Sequence, residues 1–215
     1  MPLIERCVCN GRMFSVVEAH GLPMRECRSC GILHQSVDMD RAGLSEWYRD
    51  TYHRGVYGHS YEQDYLVATK RIARYGDYLR GPALDIGCGN GAFVDACLKH
   101  GIHAEGQDLG GAAGHRCGVE ALTGQYATIT MHDVLEHVVD PAGMLGSVRG
   151  LLGIGGKLIV DFPAFFDPAG AHHWKKTEHI WMLSERQVMG LLNAAGFVVL
   201  EQDQPIPGKI VFYAA

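Results

Sequence analysis

Several things are missing from this chain, and each absence removes a class of protein. There is no basic surplus: Lys plus Arg is 19 against 24 for Asp plus Glu, a net charge of −5 with histidines neutral. That balance argues against nucleic acid as the main partner, since gripping a phosphate backbone needs clustered positive charge. No stretch approaches the roughly 18 to 20 uninterrupted apolar residues of a membrane-spanning helix. The first ten residues, MPLIERCVCN, lack a basic start followed by an apolar run. The expectation is a soluble, cytoplasmic protein with no membrane partner. Repeats and low-complexity tracts are absent too. What is present, 215 residues that are 47% hydrophobic and 20% charged, is enough for one packed domain of ordinary size plus a small appendage.

A reducing compartment leaves the seven cysteines in need of a role other than disulfides. Cys88, Cys97 and Cys117 are scattered singly and read as small buried apolar groups. Cys7, Cys9, Cys27 and Cys30 fall within the first 30 residues. Cys27-Arg-Ser-Cys30-Gly is a knuckle spacing in which two thiolates take one edge of a tetrahedron and the glycine allows the turn. Cys7-Val-Cys9 is one residue shorter than the usual pair, which leaves His20 or His34 as an alternative ligand. Four protein ligands would close the coordination sphere, so a zinc ion there is expected to be structural.

The chain divides by texture into three segments. Residues 1–36 carry the cysteines and a short alternating stretch, MFSVVEAHG, suited to a hairpin. Residues 37–80 are aromatic and charged, and end in a helix expected from Ser60 to Arg80, with Ser60 as N-cap and Gln63 three residues on. Residues 81–215 alternate strand and helix. PALDIG, IHAEGQD, YATITM and GGKLIVDFP read as strands; NGAFVDACLKHG, DPAGMLGSVRGLLG and SERQVMGLLNAAG read as helices, with Asp140–Pro141 and Ser184 as starts. Such alternation predicts an α/β, Rossmann-like, doubly wound sheet, mostly parallel, with helices on both faces. FVVLEQD and KIVFYA are too close together for a helical crossover, so the last strand is expected to run antiparallel.

In such a sheet ligands bind beyond the carboxyl ends of the strands, at the first strand–helix turn. Here that turn is LDIGCGNGAF, with Gly87, Gly89 and Gly91, and Asp108 ends the next strand 21 residues after Gly87. A carboxylate there can accept both hydroxyls of an adenosine ribose. Asp85 decides between ligands: a carboxylate two residues before the first glycine would face a pyrophosphate of like sign in a low-dielectric crevice. S-adenosylmethionine has no phosphate and brings an ammonium and a sulfonium.

With LDIGCGNGAF, GQDLG, TMHDVLEHVVDP and LLGIGGKLIVDFP in this order, the sequence from about Tyr57 onward resembles the class I S-adenosylmethionine-dependent methyltransferases. The resemblance implies that Asp85, Gly87, Cys88 and Gly89 line the methionine end and that Asp108 and Leu109 hold the ribose. It places Met131 and His132 near the adenine or sulfonium, and Tyr57 and Tyr61 are candidates for cofactor contact. Between Asp108 and the strand at Thr128 the family usually has a helix, a strand and a loop, whereas this chain has about twenty residues, many of them Gly and Ala. The adenine wall is therefore expected to be abbreviated. The N-terminal cysteines together with CRSCGILHQ resemble the zinc-binding ribbon of bacterial sugar and natural-product methyltransferases, with Cys7, Cys9, Cys27 and Cys30 as ligands.

Methyl transfer needs an aligned nucleophile and often a base. Glu178-His179, in the loop from Phe162 to Leu183, resembles the pair that serves sugar C-methyltransferases as assistant and base; His137 is the second candidate. Asp133, Glu136 and His137 share a face if DVLEHV is helical, and a similar stretch in ubiquinone-pathway O-methyltransferases binds a divalent cation. No Asn/Asp-Pro-Pro-Tyr/Phe follows the fourth strand and no Pro-Cys pair occurs, which lowers nucleobases as acceptors. The leading expectation is therefore an enzyme moving a methyl group to a C or O atom of a small polar metabolite such as a sugar or natural-product intermediate. The alternatives are a metal-dependent ubiquinone-type enzyme, a zinc-ribbon RNA methyltransferase and a non-catalytic cofactor-binding protein. A homo-oligomer is compatible with the sequence.

Overall fold

A computed structural model describes residues 7–9, 11, 15–19, 22–35, 43, 46–48, 50–51, 58, 60–110, 114, 117–165, 173–175 and 179–215. The alternating stretch near the start forms a hairpin of β1 (Ser15–Ala19) and β2 (Leu22–Glu26), extended antiparallel by β3 (Leu33–Gln35). Both cysteine pairs sit in tight turns. Cys7 N–H donates to Gly11 O at 3.0 Å and Gly31 N–H to Cys27 O at 2.8 Å, with Gly31 in the left-handed region at φ +71°.

Helix α1 (Tyr61–Tyr75) starts with the anticipated capping box: Ser60 Oγ accepts from Gln63 N–H and the Gln63 side chain accepts from Ser60 N–H. It stops short of Arg80 because Gly76 leaves helical geometry at φ +49°. The core then alternates: β4 (Ala83–Ile86), α2 (Ala92–Lys99), β5 (Ala104–Gln107), β6 (Tyr126–His132), α3 (Pro141–Leu151), β7 (Leu152–Pro163), β8 (Trp181–Met182), α4 (Glu185–Ala194), β9 (Val199–Asp203) and β10 (Lys209–Ala214). Asp140 and Ser184 cap α3 and α4, as expected.

Among the described residues the main sheet has six strands in the order β5-β4-β6-β7-β10-β9. β5, β4, β6 and β7 run parallel, and β10 is antiparallel to both neighbours. The sheet ends at β5 on that side, and a single 3-10 turn, Val119–Ala121, stands in the described part of the link to β6. That is the abbreviation the short Asp108–Thr128 segment implied. One face packs on α1 and α2 through Ala68, Ile72, Tyr75, Phe93 and Cys97; the other packs on α3 and α4 through Leu145, Val148, Val188 and Leu192. Apolar burial on both faces is what makes the central strands near-continuous hydrophobic runs.

Two further features depart from the sequence reading. DVLEHV is not a helix; it holds one 3-10 turn, Leu135–His137. And β8, from the loop before α4, joins the N-terminal sheet beside β3, pairing Leu33 with Met182 and His34 with Trp181. Two residues carry too little periodicity to be read as a strand, so only their partner reveals them.

Candidate functional site

The loop between β4 and α2 is built to lie close under a ligand. Gly87, Gly89 and Gly91 have φ of +74°, +55° and +84°, conformations that side chains rarely adopt. They are not equivalent. A Cβ on Gly87 would stand 2.6 Å from Val134 Cγ2, whereas one on Gly89 would meet nothing within 4 Å. Gly87 thus packs beneath the chain leaving β6, and Gly89 opens the cradle. Asp108 is buried and aimed into it, its Oδ2 accepting from Gly89 N–H at 3.0 Å and its Oδ1 from Gly110 N–H at 2.8 Å. Cys88 packs its sulfur against Gly106 and Gly114, where an added Cβ would lie 2.5 and 3.1 Å away. Burial, with Asp85 and Asp108 nearby, pushes that thiol's pKa up and keeps it protonated.

Asp85 stands opposite Thr130 in the β4–β6 ladder, and the two are joined: Thr130 Oγ1 donates to Asp85 Oδ1 at 2.7 Å. His132 Nδ1 lies 3.1 Å from the same oxygen, its Nε2 lies 2.9 Å from Tyr75 Oη, and its ring stacks on Tyr75. Met131 is fully buried in the core. Leu109 is part-exposed just past β5. Tyr61 is exposed and its hydroxyl donates to Asp95 on α2 at 2.6 Å. Tyr57 and Glu178 lie outside the described residues, as does His20.

Past His132 a part-buried charge network holds the chain, with Asp161 and Lys209 inside and the Asp133 side chain 40% exposed. Lys209, at the start of β10, pairs with Asp133 and stands 3.6 Å from Asp161; Arg71 on α1 bonds Asp161 at 2.8 Å and lies 3.9 Å from Asp133. Lys209 and Arg71 hold the Asp133 carboxyl well below the usual range against the opposing effect of burial. Asp133 therefore does not complete a face with Glu136 and His137. Arg71, Thr130 and Lys209 were missed in the sequence. The available signals were Lys209 as a lone charge opening the apolar strand KIVFYA, and Arg71 on the stripe of Ala68, Ile72 and Tyr75.

Glu136, His137 and His179 meet instead, one ligand atom of each within 4.8 Å of the others. Glu136 is wholly buried, and among the described residues neither carboxyl oxygen has a hydrogen-bond partner; desolvation, then Asp133, pushes its pKa well up. His137 is half-buried, its Nδ1 lies 2.6 Å from Tyr48 Oη, and its ring meets the His179 ring edge-on at 4.6 Å. His179 is buried, and its Nδ1 accepts from Lys175 N–H at 3.2 Å, so the neutral ring carries its proton on Nε2. Burial first, then His137, lowers its pKa to about 2.

At the other end of the molecule the four cysteines converge. Cys7 Sγ is 3.5 Å from Cys30 Sγ, Cys9 Sγ is 3.6 Å from Cys27 Sγ, and all four lie within 4.8 Å of one another. A disulfide would need about 2.05 Å. A tetrahedral zinc with bonds of about 2.3 Å has S–S edges of about 3.8 Å, so the thiols fit the ion. Against the desolvation of burial, backbone N–H groups of Cys30 and Ser29 lower the Cys27 thiol to about 7. His34 is not part of this cluster; it is buried against Trp181, ring centroids 5.3 Å apart.

A family model described as a methyltransferase domain matches residues 57–202. Ubiquinone biosynthesis O-methyltransferases of Marinobacter nauticus and Aeromonas salmonicida are 28% and 31% identical over 44% and 36% of this chain. The matches span 56% and 41% of those relatives' own length. The fold matches solved structures of magnesium protoporphyrin IX methyltransferase from Synechocystis with S-adenosylhomocysteine bound, at a TM-score of 0.61 and 15% identity over 81% of this chain and 99% of that one. It also matches mitomycin 7-O-methyltransferase, at a TM-score of 0.64 and 14% identity over 80% of this chain and 60% of that one. The architecture is that of the S-adenosylmethionine-dependent class I methyltransferases, with no strand beyond β5 among the described residues. Among the described residues no helix is long and apolar enough to cross a membrane.

The depressed His179 pKa makes a prediction about stability. Its folded value of about 2 lies below its unfolded value of about 6.5. The unfolded chain therefore takes up the proton first, so stability is full above about pH 6.5 and is lost as pH falls below it. Urea unfolding of the wild type should lose about 2 kcal/mol between pH 6.5 and 4.5 that His179→Gln does not lose. Parallel acid limbs for the two proteins would show that His179 is not buried neutral.

Proposed function

Because the chain belongs to the methyltransferase-domain family, we propose that it binds S-adenosylmethionine at the β4–α2 loop and moves its methyl group to an oxygen or carbon atom of a small polar metabolite. Support for the cofactor comes from the cradle. Gly89 leaves open space where a side chain would stand, Asp108 is fixed by two backbone N–H donors beside it, and the Asp85 carboxylate disfavours a phosphate there. When bound, S-adenosylmethionine supplies an electrophilic methyl group on a sulfonium.

The chain's part in transfer is to align the acceptor and take its proton. The observation that carries this is the pairing of His179, just before β8, with His137 on the turn beyond β6, which is in continuous chain with Val134, packed against Gly87 of the loop. His137 is the half-exposed member and is read as the base. With its Nδ1–H donating to Tyr48 Oη, Nε2 keeps a lone pair for the acceptor's proton. His179, buried and neutral with its proton on Nε2, is read as positioning the His137 ring. A base of this kind suits a hydroxyl or an acidic C–H, and the ubiquinone and mitomycin enzymes it resembles are named as O-methyltransferases. A sugar or natural-product intermediate fits the acidic chain better than nucleic acid does.

The test is calorimetric titration with S-adenosylhomocysteine. Wild type should bind at micromolar level, and Asp108→Ala should bind at least tenfold more weakly, about 1.4 kcal/mol or more. No heat at millimolar ligand would overturn the cofactor reading.

A second reading rests on Glu136, whose two buried oxygens have no hydrogen-bond partner among the described residues and which forms a carboxylate–imidazole set with His137 and His179. These residues would hold a divalent ion that orients a hydroxylated acceptor. The sequence pattern suggested Asp133 as the third ligand, but Lys209 and Arg71 occupy it. Manganese, which oxygen and imidazole ligands take more readily than thiolates do, separates the readings. Retention of Mn2+ by the wild type and its loss in Glu136→Gln, followed by electron paramagnetic resonance, supports the metal reading; no retention by the wild type removes it.

A further inference from the structure

We propose that the four-cysteine module is a positioning element for the transfer centre. A metal ion held by Cys7, Cys9, Cys27 and Cys30 would fix, through β3 and β8, the turn that presents His137 to His179. This rests on the histidine pair being the centre of transfer, as argued above.

The path is a chain of direct contacts. Cys27 N–H donates to Ile32 O at 2.9 Å, which closes the second knuckle immediately before β3. β3 pairs with β8, and Gln35 N–H donates to Ile180 O at 2.8 Å, next to His179. From there two bonds reach the 3-10 turn on either side of His137: Ile180 N–H donates to Glu136 O at 2.8 Å, and Trp181 Nε1–H donates to Val138 O at 2.8 Å. A further bond ties the module to α4, where Gln187 Nε2–H donates to Cys30 O at 3.2 Å. Residues 136 and 138 are therefore clamped by a strand that belongs to the cysteine module's sheet.

The energetics make this link depend on the metal. β8 has two residues and, among the described strands, pairs with β3 alone in its sheet, so its backbone register rests on β3 while Trp181 is anchored in the main core. β1, β2 and β3 have 13 residues together; among the described ones Met24 is the large apolar side chain they bury, and the module's Cys7, Cys27 and Ile32 are buried in the core shared with the main sheet. A unit that small normally needs a staple, and a structural zinc contributes its binding energy as folding energy. By contrast β4, α2 and Asp108 are held by the ladder of the main sheet and by Gly89 N–H, and meet the module only through the shared apolar core. Metal loss should therefore release the histidine pair while leaving the cofactor cradle in place.

The experiment compares the zinc-loaded full chain, the chain stripped with a chelator, and Cys9→Ser, which alters the exposed ligand. Three readouts are taken: amide hydrogen exchange by mass spectrometry, carbethoxylation of His179 mapped by peptide mass, and S-adenosylhomocysteine affinity. On metal loss, exchange at residues 180–182 should rise about tenfold or more, and His179 should become reactive. Exchange at residues 83–99 and the affinity should hold within about twofold. Unchanged exchange at 180–182 and an unreactive His179 overturn the proposal, as does collapse of the whole chain with loss of cofactor binding. A chain that takes up no zinc overturns it while leaving the methyltransferase reading intact. A zinc-loaded chain that binds no S-adenosylhomocysteine overturns the methyltransferase reading instead.

Discussion

Everything at this site follows from how Asp133 is held. It is the one described non-glycine residue in the left-handed region, at φ +53°. Such a conformation costs on the order of 1–3 kcal/mol and persists only where the surroundings over-determine it. Lys209 and Arg71 supply that constraint from β10 and α1, with Asp161 on β7 balancing the charge. Two cations and two carboxylates leave no uncompensated buried charge, which alone would be strongly destabilising. The kink turns the chain off the end of β6, lays Val134 on Gly87, and sends Leu135–His137 toward the cysteine module.

One short segment therefore serves two neighbours. On its strand side, Asp85, Thr130, His132 and Tyr75 form a hydrogen-bonded line beneath the glycine loop. On its loop side, Glu136 and His137 face His179. A class I methyltransferase needs cofactor and acceptor brought together at the carboxyl edge of the sheet, and here a few residues join the two halves. Both histidines of the pair are held by a backbone or tyrosine contact, which sets the orientation of each ring.

Much of the fold was legible because it rests on period and punctuation. Ser60 starts α1, although Gly76 ends it before the expected Arg80; Asp140–Pro141 starts α3, and the spacing of the last two apolar runs demanded an antiparallel pair. The cysteine set and the glycine loop were legible because their chemistry is local in sequence. What was not legible is long-range. The pairing of β8 with β3 brings together residues 147 positions apart, the distance between His34 and Trp181, and no local pattern encodes it. The same holds for Lys209 on Asp133. The face expected from Asp133, Glu136 and His137 assumed a helix; the left-handed kink breaks the periodicity, and His179 takes the place expected of Asp133.

The most direct test of this account is a crystal structure of the zinc-loaded chain with S-adenosylhomocysteine. The account predicts the ribose hydroxyls on Asp108, the homocysteine end along Gly87 and Gly89, and the sulfur on the side of the loop that faces the His137 turn. Density for the ligand elsewhere, or a sulfur turned away from that turn, would contradict it.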